Sequence, residues 1–534
     1  MKKYIKKYIT GGILAFASLL VFSCSDDYLD TKPTASVGTG SVFETTKNAA
    51  AAINGICEIM ATQHYHFGPG FNGEGRIKML YGEYSGQNYI YNYYAPGWAP
   101  LMNGGYYTRT SSIYCAYPWY YYYTIVGNAN EIILNVDNCL GTAEEKLFIK
   151  AQAYTFRAYA FEQLMQFYTK RWQDTQNGAD KGIALRLDNS NGSIPLSTVA
   201  ECYTQIYKDC DEAVKLFNES KRERKNVWEP NINVAYAVYA RAALNRQDYR
   251  TARTNAQLAR KSFPLMSNEE YTAGFCRPTS EWIWGSFGDA TENQWYWSNG
   301  TQFGCNGYYA STQETGAGAI ERTLINKIPN NDVRKKLFLS EDKFPGYDWT
   351  NEKVLDQTYG TFVNDGLKNA AADYIKSVTP SGLETAYKAG SYYLGGQLKF
   401  WVFDSPGVAY LSHFRSSEMV LIEAEASYFL GETAAAQNAL VELNKTTGRN
   451  ATYTCTKTGT DLFEEIVTYR GLELFGEGFC WYDYKRWNKN VYRPIISKGG
   501  NAHPVIGAVI YANKNNNWTW EIPLAETDYN DEIN

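Results

Sequence analysis

Two stretches of this chain of 534 residues combine flat aromatic rings with amide and guanidinium groups. The early stretch runs from Phe67 to Trp119, and its candidate ligand-binding residues are Tyr91, Tyr93, Trp98, Asn103 and Arg109. The later stretch holds the candidates Trp295, Trp297 and Tyr308. Rings cover the apolar C–H faces of a sugar, whereas amides and Arg hydrogen-bond its hydroxyl groups. The two stretches therefore predict a saccharide site, with core packing as the alternative role of each ring.

Other site chemistries find little support in the sequence. His64 and His66 could ligate a metal, but no third ligand is spaced to complete the set. The segment GPGFNGEG does not follow a clear strand, and HExxH, Walker and GxSxG motifs are missing from the sequence. Acidic residues are numerous, so a glycosidase built on paired carboxylates stays an alternative. We expect a binding protein without catalytic residues, metal or cofactor.

The amino terminus has the layout of an export signal. Four lysines precede about 14 mostly apolar residues that end at Cys24. The apolar run is shorter than the roughly 20 residues of a membrane-spanning helix. Val21, Phe22 and Ser23 before Cys24 resemble a bacterial lipobox, although Phe22 is unusually bulky, and the resemblance implies lipidation of Cys24. We predict a signal peptide over residues 1–23 and a lipidated tether over residues 24–40.

Charge and cysteine content narrow the choice of partners. The chain carries 51 basic and 56 acidic residues, and four of the basic residues lie in the predicted signal. The remaining chain is therefore acidic, which disfavours nucleic acid as a partner. Besides Cys24 there are nine cysteines, an odd number. Cys202 and Cys210 would stand about 12 Å apart on a helix, too far for a disulfide, and we interpret most cysteines as core residues.

Helical periodicity dominates the rest of the chain. Helices are predicted from Thr45 to Ala61 and in three long segments between residues 124 and 217. Two units, Asn231–Phe263 and Ser416–Gly448, each show the small/large pattern of a tetratricopeptide repeat of about 34 residues. Residues 67–119 read mostly as loops, residues 275–410 as an irregular insertion, and GGQLKFWVF alternates like a strand. The predicted fold is mostly α, with interrupted tetratricopeptide-like repeats and a large loop-rich insertion, in regions 41–270 and 271–534.

The segment Leu462–Lys489 resembles the C-terminal signature of the SusD/RagB-like outer-membrane lipoproteins of Bacteroidetes. The matching residues are Arg470, Glu473, Leu474, Glu477, Gly478, Trp481, Asp483, Arg486 and Trp487. Tyr469 and Cys480 depart from the pattern, and we expect them to weaken surface ion pairing more than the fold. The lipidated start and the closing NNNWTWEIPLAETDYN also fit. We interpret the signature as scaffold, with Arg470, Glu473 and Glu477 on one helix face.

The resemblance implies a SusD-like fold and a non-enzymatic role at the cell surface. Such proteins are anchored in the outer membrane by lipid and deliver a nutrient, usually a glycan, to a SusC-like TonB-dependent transporter. The acids after Cys24 resemble the surface-export signal of such lipoproteins. Two alternatives stay open: a peptide-binding receptor of the same architecture, and a surface glycosidase.

Overall fold

The computed structural model describes residues 39–68, 70–91, 99–288, 298–308, 318–344, 365–383, 394–404, 407–507, 509–512 and 518–533. The predicted signal peptide and Cys24 lie outside the described residues, as does the tether up to residue 38.

Eleven helices of eight or more residues are the main secondary-structure elements of the described chain. They are α1 Thr46–Ala61, α2 Ile113–Asn135, α3 Ala143–Tyr168, α4 Val199–Ser220, α5 Ile232–Asn245, α6 Tyr249–Ala259, α7 Asp365–Val378, α8 Ser416–Phe429, α9 Thr433–Val441, α10 Gly459–Glu473 and α11 Cys480–Trp487. Shorter helical segments are Thr39–Val42, Gly73–Arg76, Ala99–Met102, Asn268–Tyr271, Asn299–Phe303, Arg322–Ile325 and Leu524–Thr527, with π-helices at Ile77–Glu83 and Glu442–Thr446. Across the described ranges, no helix is both long and apolar enough to cross a membrane. The predicted mostly-α class is confirmed.

Local sequence signals fix where several helices begin. Thr142 and Glu145 form a capping box at the start of α3, and Thr198 and Glu201 form another at α4. In each box the threonine oxygen accepts a backbone N–H that the first helical turn leaves unbonded. The side chain of Asp248 accepts the Thr251 N–H and so starts α6 directly after α5.

The two tetratricopeptide-like units are neighbours in space although about 150 residues separate them along the chain. The pair α5 and α6 stacks on the pair α8 and α9, with α6 packed against α8. Arg260 at the end of α6 bonds Glu423 of α8 at 2.5 Å and Glu442 at 2.7 Å. The insertion therefore interrupts the repeats along the sequence, as predicted, whereas in space the two units pack directly against each other.

Strands are short and occur in three two-stranded antiparallel sheets within the described chain. They pair β1 Tyr89–Ile90 with β3 Ala319–Ile320, β2 Trp282–Gly285 with β4 Ser412–Arg415, and β5 Val491–Tyr492 with β6 Val509–Ile510. The β2–β4 pair closes the insertion, because β4 leads directly into α8. All three sheets contribute side chains to the main hydrophobic core, in which aromatic and aliphatic residues predominate.

The prediction of a strand at GGQLKFWVF, residues 395–403, is wrong. Only isolated bridges occur there, from Gly396 to Ala319 and from Gln397 to Phe338. The alternation of polar and apolar residues does not separate two faces, because Lys399 is buried together with its apolar neighbours. Its ammonium group donates to Glu477 at 2.6 Å and to the carbonyl oxygens of Glu473 and Phe475. The ion pair with Glu477, which is distant in the sequence, therefore outweighs the local alternation of polar and apolar residues.

The expected loop over residues 67–119 also needs correction, because α2 already begins at Ile113. Pro118 lies inside this helix and cannot donate a hydrogen bond to the carbonyl of Tyr114. The hydroxyl of Tyr81 donates to that carbonyl instead, at 2.8 Å. Tyr168 donates to the carbonyl of Cys115 at 2.8 Å. Aromatic hydroxyls from neighbouring elements therefore satisfy the helix start that the proline disturbs.

All nine described cysteines have free thiols, and seven are buried. Burial raises the pKa of Cys57, Cys202 and Cys480 above the usual thiol value, which makes these thiols poor nucleophiles. The interpretation of most cysteines as core residues is confirmed.

Candidate functional site

The small sheet of β1 and β3 joins the early aromatic stretch to the insertion of residues 275–410. Tyr89 pairs with Ile320 and Ile90 with Ala319 in antiparallel register. In this register the end of β1 lies beside the start of β3. Tyr91, which follows β1, and Gly318, which precedes β3, therefore lie at the same end of the sheet. Gly396 also bridges Ala319.

A stack of aromatic rings packs around β1. Tyr84 lies 5.4 Å from Tyr89 and 5.1 Å from Tyr91 between ring centroids. Tyr89 in turn stacks on Phe303 at 5.0 Å. Burial raises the pKa of Tyr84 and Tyr89 well above the usual value, so both phenols stay neutral. Tyr91 is the half-buried member of the stack, and it borders the residues 92–98.

The structure places the predicted site residues unequally. Tyr91 follows β1 directly and is half-buried, and Tyr308 is also half-buried. The side chain of Asn103 donates to Val505 O at 3.0 Å and accepts from Arg493 at 3.1 Å, so the protein already uses much of its amide. The exposed Arg109 guanidinium lies over the ring of Tyr106 at 5.1 Å. Tyr93, Trp98, Trp295 and Trp297 lie outside the described residues.

The signature segment is a buried ionic scaffold. Arg415 at the end of β4 bonds Glu281 at 2.8 Å, Glu473 at 2.9 Å and Glu477 at 2.7 Å. These four side chains are at most 6% exposed. Because α10 ends at Glu473, Glu477 lies in the following turn and not on the same helix face as expected. The shared partner Arg415 nevertheless brings the two carboxylates together.

The two departures from the signature also lie in the interior. Tyr469 is buried, and Arg334 lies over its ring at 4.9 Å. Cys480 is buried at the start of α11. The expectation that these residues affect surface ion pairs is wrong, because the neighbouring Arg470–Asp483 pair, at 2.6 Å, is itself buried.

A cleft of about 820 Å³ was missed by sequence reasoning. It lies between α2, residues 184–194 and the C-terminal residues 523–530. Tyr120, Tyr123, Thr124, Gly127 and Asn128 line one side with the spacing of a single helix face. The run YPWYYYYTIVGNAN carries that spacing, but the loop predicted over residues 67–119 includes its first three residues.

Two family comparisons cover most of the chain. Residues 27–244 match the family SusD-like_3, described as "Starch-binding associating with outer membrane". Residues 239–533, more than half of the chain, match the family described as "SusD family". No curated protein matches the chain.

Solved structures from Bacteroides share the fold. A SusD-like carbohydrate binding protein from Bacteroides vulgatus is 20% identical with a TM-score of 0.72, over 92% of this chain and 98% of that chain. A SusD superfamily protein from Bacteroides thetaiotaomicron is 21% identical with a TM-score of 0.65, over 92% and 99%. One from Bacteroides fragilis is 17% identical with a TM-score of 0.66, over 92% and 100%. The family match over residues 239–533 covers more than half of the chain, and the chain therefore belongs to the SusD family.

Proposed function

We propose that the protein captures an oligosaccharide or polysaccharide at the cell surface and delivers it to a SusC-like TonB-dependent transporter. Lipid on Cys24 holds it in the outer membrane. Membership of the SusD family supports the nutrient-capture role, and the description of the first family match supports the association with the outer membrane. The carbohydrate-binding solved structure with the same fold supports a glycan as the ligand.

The observation that carries the proposal is the pairing of β1 with β3. It joins the early aromatic stretch to the insertion, the region of the sequence that also holds Trp295 and Trp297. Trp98, Trp295 and Trp297 are the platforms we assign to the sugar faces, with Tyr91, Tyr93 and Tyr308 beside them. Asn103 and Arg109 stand in the same early stretch as hydrogen-bonding candidates.

Electrophoresis through gels containing single polysaccharides tests the proposal. We expect one neutral polysaccharide to retard the protein, and the variant W98A/W295A/W297A to lose most of that retardation with an unchanged unfolding midpoint. The control is Tyr492→Ala, which removes a ring that is 44% exposed on β5. Equal retardation of the triple variant and the wild type contradicts the placement of the site.

The same incubation separates capture from the alternatives. A capture protein leaves the polysaccharide intact, so release of reducing sugars during the incubation identifies a glycosidase. Binding of a peptide mixture with no retardation by any polysaccharide identifies the peptide receptor instead.

A further inference from the structure

The cleft along α2 has exposed aromatic platforms. The ring of Tyr120 is 41% exposed, and it is held from behind by a stack on His66 at 5.4 Å and by Phe67 at 4.9 Å. Tyr529 on the opposite wall is 86% exposed. A phenol ring fixed by its neighbours offers a flat apolar face at low entropic cost, which suits the C–H face of a sugar.

Hydrogen bonds between the walls keep the cleft open in one shape. Tyr123 of α2 donates to Ala184 O at 2.7 Å. Trp119 of α2 donates to Glu526 at 3.1 Å. The amide of Asn530 donates to Ile194 O at 3.1 Å and accepts from Ile194 N at 3.2 Å. Each wall is therefore tied to both others, and these hydrogen bonds fix the shape of the cleft.

The rim supplies the polar groups that hydroxyls need. Its residues include Asn128 on α2 and the run Asp188–Ser193, DNSNGS, which is rich in amide and hydroxyl groups. Asn130 holds the start of this run by donating to the carbonyl oxygens of Arg186 and Asp188, both at 3.0 Å. A volume of about 820 Å³ lies within the range of roughly 300–1,000 Å³ that is typical of ligand sites.

The charges of the cleft select a neutral ligand. Arg186 bonds Asp188 at 3.4 Å and also donates to Ser190 and to the carbonyl of Gly192. Its charge is thus compensated by its own loop. The carboxylates of Glu131 and Glu526 also line the cleft, and they would repel an acidic polymer while accepting hydrogen bonds from neutral hydroxyls.

We propose that this cleft is a second saccharide site, which takes a neutral oligosaccharide independently of the site proposed at Trp98, Trp295 and Trp297, called the loop site below. None of the residues assigned to the loop site lines the cleft. The inference concerns a separate site, and only the expected stoichiometry of two rests on the proposed function.

Titration calorimetry with neutral hexaoses of glucose, xylose and mannose tests it through the stoichiometry. We expect the wild type to bind two molecules of one of these sugars, and Y120A/Y529A to bind one. The loss of two exposed rings is expected to weaken the affinity of the cleft for the sugar about tenfold or more. Tyr529→Ala alone, at a position too exposed to unfold the protein, should weaken it in the same direction, and Tyr492→Ala should change nothing.

The outcomes separate the two sites. If W98A/W295A/W297A keeps full binding while Y120A/Y529A loses it all, the cleft stands and the proposed loop site fails. If Y120A/Y529A and Tyr529→Ala both bind as the wild type does, the cleft proposal is overturned. Tighter binding of an oligogalacturonate or of a peptide in the cleft than of any neutral hexaose overturns the assigned ligand class.

Discussion

At the scale of single residues, the buried carboxylate Glu473 is the centre of the interior charge network. It bonds Arg415 at 2.9 Å and Arg334 at 3.2 Å. Burial alone would raise the pKa of this carboxyl group, but Arg415, Arg449 and Arg334 outweigh burial and lower the pKa to about 2. The carboxylate is therefore charged at neutral pH and neutralises arginines that have no access to water.

Removing this charge should destabilise the fold strongly. We expect Glu473→Gln to cost about 3–5 kcal/mol, because it leaves buried arginines without their partner. The matched control is Glu464→Gln on the same helix, where a carboxylate that is 51% exposed pairs with Lys489. We expect that change to stay within about 0.5 kcal/mol. Urea unfolding at pH 7 measures both, and equal midpoints would contradict the role of Glu473.

The stability that Glu473 contributes should decrease as the pH falls. Because the folded pKa of Glu473 is lowered from 4.5 to about 2, the stability it contributes is complete above about pH 4.5. That stability is lost as the pH falls towards 2. The difference in unfolding free energy between wild type and Glu473→Gln should therefore shrink over that window.

At the scale of elements, the π-helix Ile77–Glu83 lies directly against the turn that follows α10. Glu83 accepts the backbone N–H of Gly478 at 2.6 Å. A Cβ atom at Gly82 would lie 2.3 Å from the carbonyl oxygen of Gly478. Gly478 itself has φ +89°, a conformation that favours glycine. The two segments touch through their backbones, and neither can accept a side chain at this point.

Two glycine substitutions should therefore have opposite signs. Gly82→Ala is expected to destabilise by about 1–3 kcal/mol, because the added methyl meets backbone atoms that cannot move aside. Gly55→Ala in α1, where a Cβ atom meets nothing within 4 Å, should stabilise by about 0.5–1 kcal/mol. Thermal unfolding of both variants checks the pair, and a stable Gly82→Ala would show that the segments are not in close contact.

Elements that are fixed by contacts between nearby residues can be predicted from the sequence, whereas elements that are fixed by contacts between distant residues cannot. The helices α1 and α3 to α6 carry local caps and periodic apolar faces, and the sequence predicts them. The β1–β3 pair involves only two residues on each side, and its register depends on contacts more than 200 residues apart. The cleft escapes notice for the same reason, since its walls come from α2, residues 184–194 and residues 523–530. The four aromatic residues that carry the loop site most directly stay predictions from the sequence.

At the scale of the whole molecule, the lipid tether that we propose would limit how far the folded body can lie from the membrane. Residues 44 and 46 are bonded to Leu140 beyond the end of α2, through Leu140 N to Glu44 O and Thr46 N to Leu140 O, both at 2.8 Å. The body is therefore fastened close to its first described residue, Thr39. Fourteen residues lie between Cys24 and Thr39, which limits the reach of the proposed tether to about 50 Å at full extension.

Cys24→Ala should detach this body from the membrane without changing its binding. One acyl chain gives only marginal membrane binding, whereas several chains hold a protein firmly. Loss of the lipidated thiol should therefore move the protein from the carbonate-washed membrane fraction to the soluble fraction. Affinity for polysaccharide should stay within twofold of the wild type, because Cys24 precedes the described body. The control Cys455→Ala changes a half-buried thiol within the body and should remain with the membrane. If Cys24→Ala also remains there after the wash, a contact other than the lipid holds the protein, and the anchor assigned to Cys24 is wrong.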